Sequence, residues 1–312
     1  MFTLHPYPSR KLSARSAFTL IELSIVLVVI GLIVAGVLTG RDMIRASEIR
    51  ATLTQVEKFN TATNTFRGKY GYLPGDIPNP VAGQFGLTQR GNNRGQGDGN
   101  GCLEGVTSAN NPASTRQAAG EPVMFWVDLS AQGLIEGGFN TASPTTIVSG
   151  SDITGTGISQ YYPSAKIGGG NYFVVFGNEY YDGTNYNCTN INYFSLSSVS
   201  TIQASSNLGK ILSTANIPVA TAYAIDTKMD DGFPQSGNVT AWYIGGSNGN
   251  LFWTDGTQTI SSATGPVPTT AATTGNSTTC YDNGHVTNAT QTYSMEISNG
   301  ANTNCALSFK FQ

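Results

Sequence analysis

The sequence predicts an α+β protein, in which a long N-terminal α-helix with a transmembrane half and an amphipathic half packs on an antiparallel β-sheet head. Three observations predict it. The run from Phe18 to Leu38 is apolar except for one carboxylate, Glu22. Apolar residues then recur at steps of three and four as far as Tyr70, and beyond Gly71 short apolar or alternating segments are bounded by Gly, Asn or Asp.

Composition narrows the possible functions. Of 312 residues, 39% are hydrophobic and 11% charged, enough apolar material to bury a core, and the net charge of -3 is too small to suggest a nucleic-acid partner. The charged fraction is far below the roughly 25% of an average soluble protein. A polar but uncharged surface of this kind suits a secreted or cell-surface protein.

The first element is the helix. Its apolar run of about 20 residues, at ~1.5 Å per residue, is long enough to cross a ~30 Å hydrocarbon layer. Arg10, Lys11 and Arg15 precede it with no acid in residues 1–17, so the positive flank stays in the cytoplasm and the remainder is exported. No signal-type cleavage site separates the run from the residues after Leu38. Instead Ile49, Leu53, Val56, Phe59, Thr63, Phe66 and Tyr70 form one apolar stripe, with Arg50, Glu57, Lys58 and Arg67 between them. No proline lies between Phe18 and Leu73, so a single helix of about 50 residues is expected, ended by Gly68, Gly71 and Pro74.

Glu22 is then the anomaly. A carboxylate within the bilayer costs roughly 2.5 to 3.5 kcal/mol on insertion scales and is read as functional, with a partner to be named. The string Ala17-Phe18-Thr19-Leu20-Ile21-Glu22, behind a short basic leader and ahead of a long apolar helix, resembles the processing motif of type IV prepilins and type II secretion pseudopilins. The resemblance implies a pilin-like fold, a leader of residues 1–17, cleavage between Ala17 and Phe18 by prepilin peptidase, and N-methylation of Phe18. It divides the rest into a transmembrane and filament-core segment at 18–40, its amphipathic continuation at 41–70, and a globular β-rich head at 71–312. Glu22 would neutralise the N-terminal ammonium of a neighbouring subunit during filament assembly.

The same resemblance implies the partners: prepilin peptidase, copies of the chain or other pilins, an inner-membrane assembly platform, and membrane lipid before assembly. The precursor would reside in a bacterial inner membrane and the product in an extracellular pilus or periplasmic pseudopilus. Two positions depart from the family pattern. Ala17 stands where glycine is usual, and Thr39, flanked by Gly36 and Gly40, stands where many pilins carry a proline.

In the head, strands are expected at Tyr172 to Phe176, Ile191 to Leu196, Val239 to Ile244, Leu251 to Trp253, Tyr293 to Ile297 and Ala306 to Phe311. Helices are expected from about Pro122 to Leu134 and from about Pro218 to Thr227. Thr141 to Ser159 and Ser261 to Thr279 read as loops. The strings KYGYLPGDIPN, GQGDGNG, FWVDLSAQGLI and AYAIDTKMDDGFPQSG are similar to stretches of larger prepilin-type proteins, and taken by themselves they read as turn and helix-cap chemistry.

Cys102, Cys188, Cys280 and Cys305 all lie in the exported head without CxxC spacing, which points to disulfides, with three pairings possible. The pilin resemblance selects Cys280 with Cys305, because a C-terminal disulfide loop characterises that family, and leaves Cys102 with Cys188. Asp226, Asp230 and Asp231 in DTKMDDG, and Asp98 with Asn100 in GDGNG, offer hard oxygen ligands suited to Ca²⁺, although neither string has EF-hand spacing.

Nothing singles out an enzyme. The two histidines are His5, in the leader, and His285, alone in a polar loop. The GxSxG string at residues 245–249 lies between expected strands, where a nucleophile elbow needs a helix after it, and no phosphate loop occurs. The reading is a filament subunit. Two alternatives remain, a membrane-anchored extracytoplasmic binding protein and a secreted hydrolase.

Overall fold

The computed structural model describes residues 19–108, 111–145, 151–181, 186–203, 211–214, 216–243, 280–282, 290–296, 298–301 and 303–311. Side chains are described for all of these except 107, 108, 111–118, 178–181, 186–188, 242, 243, 298 and 304. Several expectations fall outside the described residues: the leader with Ala17 and Phe18, the strand at 251–253, the loop at 261–279, both histidines, the GxSxG string and the side chain of Cys188.

Helix α1 runs without a break from Leu20 to Tyr70, 51 residues, which at ~1.5 Å per residue is about 75 Å. It stops where expected. Gly71 adopts φ 78°, and its amide closes on the Arg67 carbonyl at 2.8 Å, a left-handed C-terminal stop that glycine supplies without strain. The chain divides into two compact units, residues 1–47 and 48–312. In the first, the helical side chains from Leu20 to Leu38 are exposed throughout, from Leu20 at 88% to Val29 at 47%. This stretch is long and apolar enough to cross a membrane.

Within the second unit the helix has one buried stripe: Ile49, Thr52, Val56, Phe59, Ala62, Thr63, Phe66 and Tyr70. The predicted stripe is thus recovered, with Leu53 partly buried at its margin. Thr52 and Thr63, polar residues on that stripe, turn their hydroxyls back onto the carbonyls of Glu48 and Phe59, each at 2.8 Å. Their donors are satisfied inside the helix and their methyl groups face the core.

The head meets this stripe with a ring cluster. Phe59 lies 4.9 Å from Trp126, 5.3 Å from Phe173 and 5.9 Å from Phe194, the first two edge to face. Burying each such ring stabilises by roughly 1.5 to 3 kcal/mol, and edge contacts add about 0.5 to 1.5.

After α1 come the single turn α2 (Val81–Gln84) and an antiparallel pair, β1 (Gly105–Ser108) with β2 (Asn111–Gly120). Helix α3 (Glu121–Ala131) follows, then β3 (Ile153–Thr154), a 3₁₀ turn at Gly155–Gln160, β4 (Asn171–Tyr181), β5 (Tyr186–Ile202), β6 (Ile211–Thr214) and β7 (Ile217–Pro218). Helix α4 (Val219–Met229), β8 (Val239–Tyr243), β9 (Tyr281–Asp282), β10 (Thr292–Tyr293) and β11 (Thr303–Lys310) complete the order.

The main sheet has seven described strands, every pairing antiparallel. Strand β5 pairs with β4 and β11, β11 pairs in turn with β8 and β7, and β6 and β3 pair with the later part of β5. The outer side of β4 is covered: the Phe173 amide donates to the Pro163 carbonyl at 3.0 Å and the Gly177 amide to the Leu103 carbonyl at 2.8 Å. On β8, the Ala241 amide donates to the Pro234 carbonyl and the Gln235 side chain to the Ala241 carbonyl, both at 2.7 Å.

The expected helices begin one residue from their predicted starts and differ at their ends. The expected strand Tyr293 to Ile297, whose last residue lies outside the described ones, is corrected: β10 ends at Tyr293, the last cross-strand bond runs from the Ser294 amide to the Cys280 carbonyl at 3.0 Å, and the Met295 amide turns back onto the Tyr293 carbonyl at 2.7 Å. The expected loop Thr141 to Ser159 contains β3 and the start of the 3₁₀ turn.

Candidate functional site

At the start of α1, Thr19 is the non-helical residue before the first turn. Its amide and hydroxyl both donate to Oε2 of Glu22, at 2.8 and 2.7 Å, and its hydroxyl oxygen accepts the Glu22 amide at 3.3 Å. This is a reciprocal capping box. Glu22, expected as a carboxylate awaiting a partner, therefore already has one within its own chain. The signal was present as Thr-x-x-Glu in the string that also carries the processing resemblance. Ala17 and Phe18, the cleavage pair, lie outside the described residues.

Helix α1 then delivers the chain to a second set of acids. Asp76, 1% exposed, follows Gly75, whose φ of 85° places the missing Cβ 2.3 Å from the Glu121 carbonyl, so only glycine fits. Asp76 accepts the amides of Gly99, Asn100 and Gly101 at 2.7, 3.2 and 2.8 Å. Glu121, fully buried at the first position of α3, accepts those of Gly97, Asp98 and Glu104 at 2.9, 3.4 and 2.8 Å. The Cys102 amide is taken by Asn100 and that of Leu103 by Asn192, at 2.7 and 2.9 Å. Every amide from Gly97 to Glu104 thus ends on a side-chain oxygen, and the loop is wrapped around two carboxylates.

The nearby cations are committed elsewhere. Arg90 grips both carboxylate oxygens of Asp128 at 2.5 to 2.6 Å, in a pair shielded from solvent, and Asp128 also accepts the Gly75 amide at 2.7 Å. Arg94 pairs with Glu104. Burial, and secondarily the charge of Asp98, pushes the Asp76 carboxyl up to about 7 against its amide hydrogen bonds. Glu121 is raised well above the ordinary range by burial and by the charges of Asp76 and Asp98. One oxygen from each of Asp76, Asp98 and Glu121 lies within 4.8 Å of the others. A proton or a divalent cation would relieve their mutual repulsion.

Asp226, Asp230 and Asp231, the acids expected from DTKMDDG, also converge within 4.8 Å at the end of α4. Each is already hydrogen-bonded. The buried Asp226 accepts the Tyr293 hydroxyl at 2.7 Å and the Gly232 amide at 3.1 Å. Asp230 accepts the amides of Asn238 and Val239, and Asp231 the Phe233 amide and Ser236 hydroxyl. Burial raises Asp226 to about 7, against the Tyr293 and Gly232 hydrogen bonds. The geometry makes this cluster a holder of the turn after α4, tied by Tyr293 to β10.

Cys280 and Cys305 form a disulfide across 25 positions, both buried, joining the start of β9 to β11. Cys102 is also disulfide-bonded. The Asp76 and Glu121 cradle escaped sequence reading because its acids stand 45 positions apart (121 − 76) and each resembles ordinary turn or first-turn chemistry. Two signals were available: Asp98 in GDGNG, expected as an oxygen ligand and here brought together with Asp76 and Glu121, and a glycine at every second position, 95, 97, 99 and 101, all with positive φ. Comparison with family models, with curated proteins and with solved structures finds no match to this chain.

Proposed function

We propose that this chain is a structural subunit of a type IV pilus or a related pseudopilus, cleaved before Phe18 and N-methylated by prepilin peptidase, then polymerised through its N-terminal helix. On this reading the precursor sits in a bacterial inner membrane with its head exported, and it has no catalytic role. The observation that carries the reading is the continuity of α1. One unbroken helix joins an exposed apolar half, bearing a single acid, to a half whose stripe is buried in the head. A helix that is apolar all round needs lipid or other helices around it, and a filament core supplies the second after the first. The string FTLIE adds the processing resemblance, which an anchor alone does not require.

N-terminal mass analysis of the membrane and sheared-filament fractions tests it, with N-methylated Phe18 expected in both. A mature chain starting beyond Leu38 would overturn the reading. Glu22→Leu and Glu22→Gln should insert normally yet give few filaments, because leaving one member of a buried charge pair alone costs on the order of 3 to 5 kcal/mol. Wild-type filament yield from both would remove the charge from the mechanism.

A further inference from the structure

We propose that Arg41 and Arg45 form a docking surface for the phosphates of anionic lipid headgroups, just beyond the apolar half of α1. The inference rests on reading that half as membrane-spanning. From Leu20 to Leu38 the helix carries Glu22 as its one charge and is exposed on every side. At ~1.5 Å per residue it rises about 28 Å, close to the ~30 Å of a hydrocarbon layer. Arg41 and Arg45 are the first cations after it, both exposed, and four positions apart on a helix they share a face.

Their height fits one layer of the bilayer. A membrane of about 40 to 45 Å around a ~30 Å hydrocarbon core leaves roughly 5 to 7 Å of headgroup on each side. The Arg41 backbone lies about 4.5 Å beyond that of Leu38, and the Arg45 backbone about 10 Å beyond it. Helical side chains lean toward the N-terminus, here back toward the membrane, so the long Arg45 side chain returns to the level that Arg41 occupies. Between the two, Met43 and Ile44 are 69% and 61% exposed, apolar groups that gain from the margin of the same layer.

Charge then selects the lipid. A guanidinium meets phosphate oxygens with paired hydrogen bonds, which any glycerophospholipid accepts. Residues 39–47 hold two cations against one acid, Asp42, and the surplus positive charge favours a headgroup of net negative charge over a zwitterionic one. A cation near an anionic membrane surface is worth about fivefold in affinity. On the filament reading, such lipids hold the waiting subunit at one depth and are released when it is extracted.

Brominated-lipid quenching tests the proposal in the full chain. No described cysteine is free, so a fluorescent maleimide on Met43→Cys reports on the lipids beside residue 43. The labelled chain is reconstituted in vesicles containing brominated phosphatidylglycerol or brominated phosphatidylcholine, and the ratio of quenching gives their relative affinity. Phosphatidylglycerol should be preferred by about fivefold. Arg41→Gln combined with Arg45→Gln should bring the ratio near one, while Arg41→Lys combined with Arg45→Lys, which keeps the charge, should retain the preference. Equal quenching by the two lipids in the parent chain, a preference unchanged in the glutamine pair, or a preference lost in the lysine pair would each overturn the proposal. Absence of quenching by either lipid would instead overturn the membrane-spanning reading on which it rests.

Discussion

The two halves of α1 share a backbone and little else. From Leu20 to Leu38 the helix has exposed apolar side chains on every side, while from Ile49 to Tyr70 it has one buried stripe and a polar outer face. The later half is stabilised within its own chain, by the rings around Phe59 and by the head core. The earlier half has its apolar side chains exposed and must be stabilised by what surrounds it. Length and helical character therefore say little about where a helix finds its stability, and the distribution of apolar residues around its axis says most of it.

The sharpest way to break the comparison is a cavity in the later half. Phe59→Ala should destabilise the head by about 3 to 5 kcal/mol, the usual cost of emptying a buried aromatic site. Urea unfolding followed by Trp126 fluorescence measures it; a change under about 1 kcal/mol would mean that the helix and head do not share a core.

Next in size is the disulfide. Cys305→Ser should cost roughly 3 kcal/mol, the chain-entropy value for a loop of this length, and leave membrane insertion intact. Thermal unfolding of the wild-type and Cys305→Ser chains, with insertion assayed by membrane fractionation, separates the two effects.

A third test uses pH. Asp76 and Asp226 are both raised to about 7 from an ordinary value of 3.8, so the folded head holds protons that the unfolded chain releases. The stability they contribute is fully present below about 4 and is lost as pH rises through about 7. The melting temperature of the head should rise as pH is lowered from 8 to 5, and Asp226→Asn should flatten part of that slope. A pH-independent melting temperature would show that both carboxyls titrate normally.

The smallest expected effect completes the contrast. Leu32, 69% exposed in the apolar half, should change head stability by less than about 0.5 kcal/mol when replaced by alanine, although the same substitution in the later half's stripe would be costly.

The helix was legible because its signals are local and repeated: no proline, steps of three and four, and glycine at the stop. The strand cores at Tyr172 to Phe176 and Ile191 to Leu196 were legible for the same reason. The rest of β5 was not, since Ser195, Ser197, Ser198 and Ser200 dilute the apolar alternation, and Ser197 and Ser198 bond to hydroxyls on β6 that lie 16 positions away. The pair β1 and β2 was missed because NPASTRQAAG has no hydrophobic rhythm. Tyr293 to Ile297 misled in the opposite direction, being apolar enough for a strand while the backbone bends after Tyr293. At the candidate site, Glu22 was legible as an isolated charge in an apolar run, whereas its bond to Thr19 depends on where the helix begins, and residues 18–22 are apolar enough that no composition change marks that start. The Asp76 and Glu121 cradle depends on tertiary closure, which no local pattern records.

The covered sides of β4 and β8 bear on crowding. A subunit displayed in a regular fibre holds its head beside others at very high local concentration, the condition in which bare strand margins fuse and tangle. Here Pro163 and Leu103 occupy carbonyl-seeking amides of β4, and Pro234 with Gln235 occupies both backbone groups of Ala241 on β8. Those margins offer a neighbour little to zip onto, so on the proposed filament reading heads could be brought close without polymerising sideways, and the order of the array would be left to the helices.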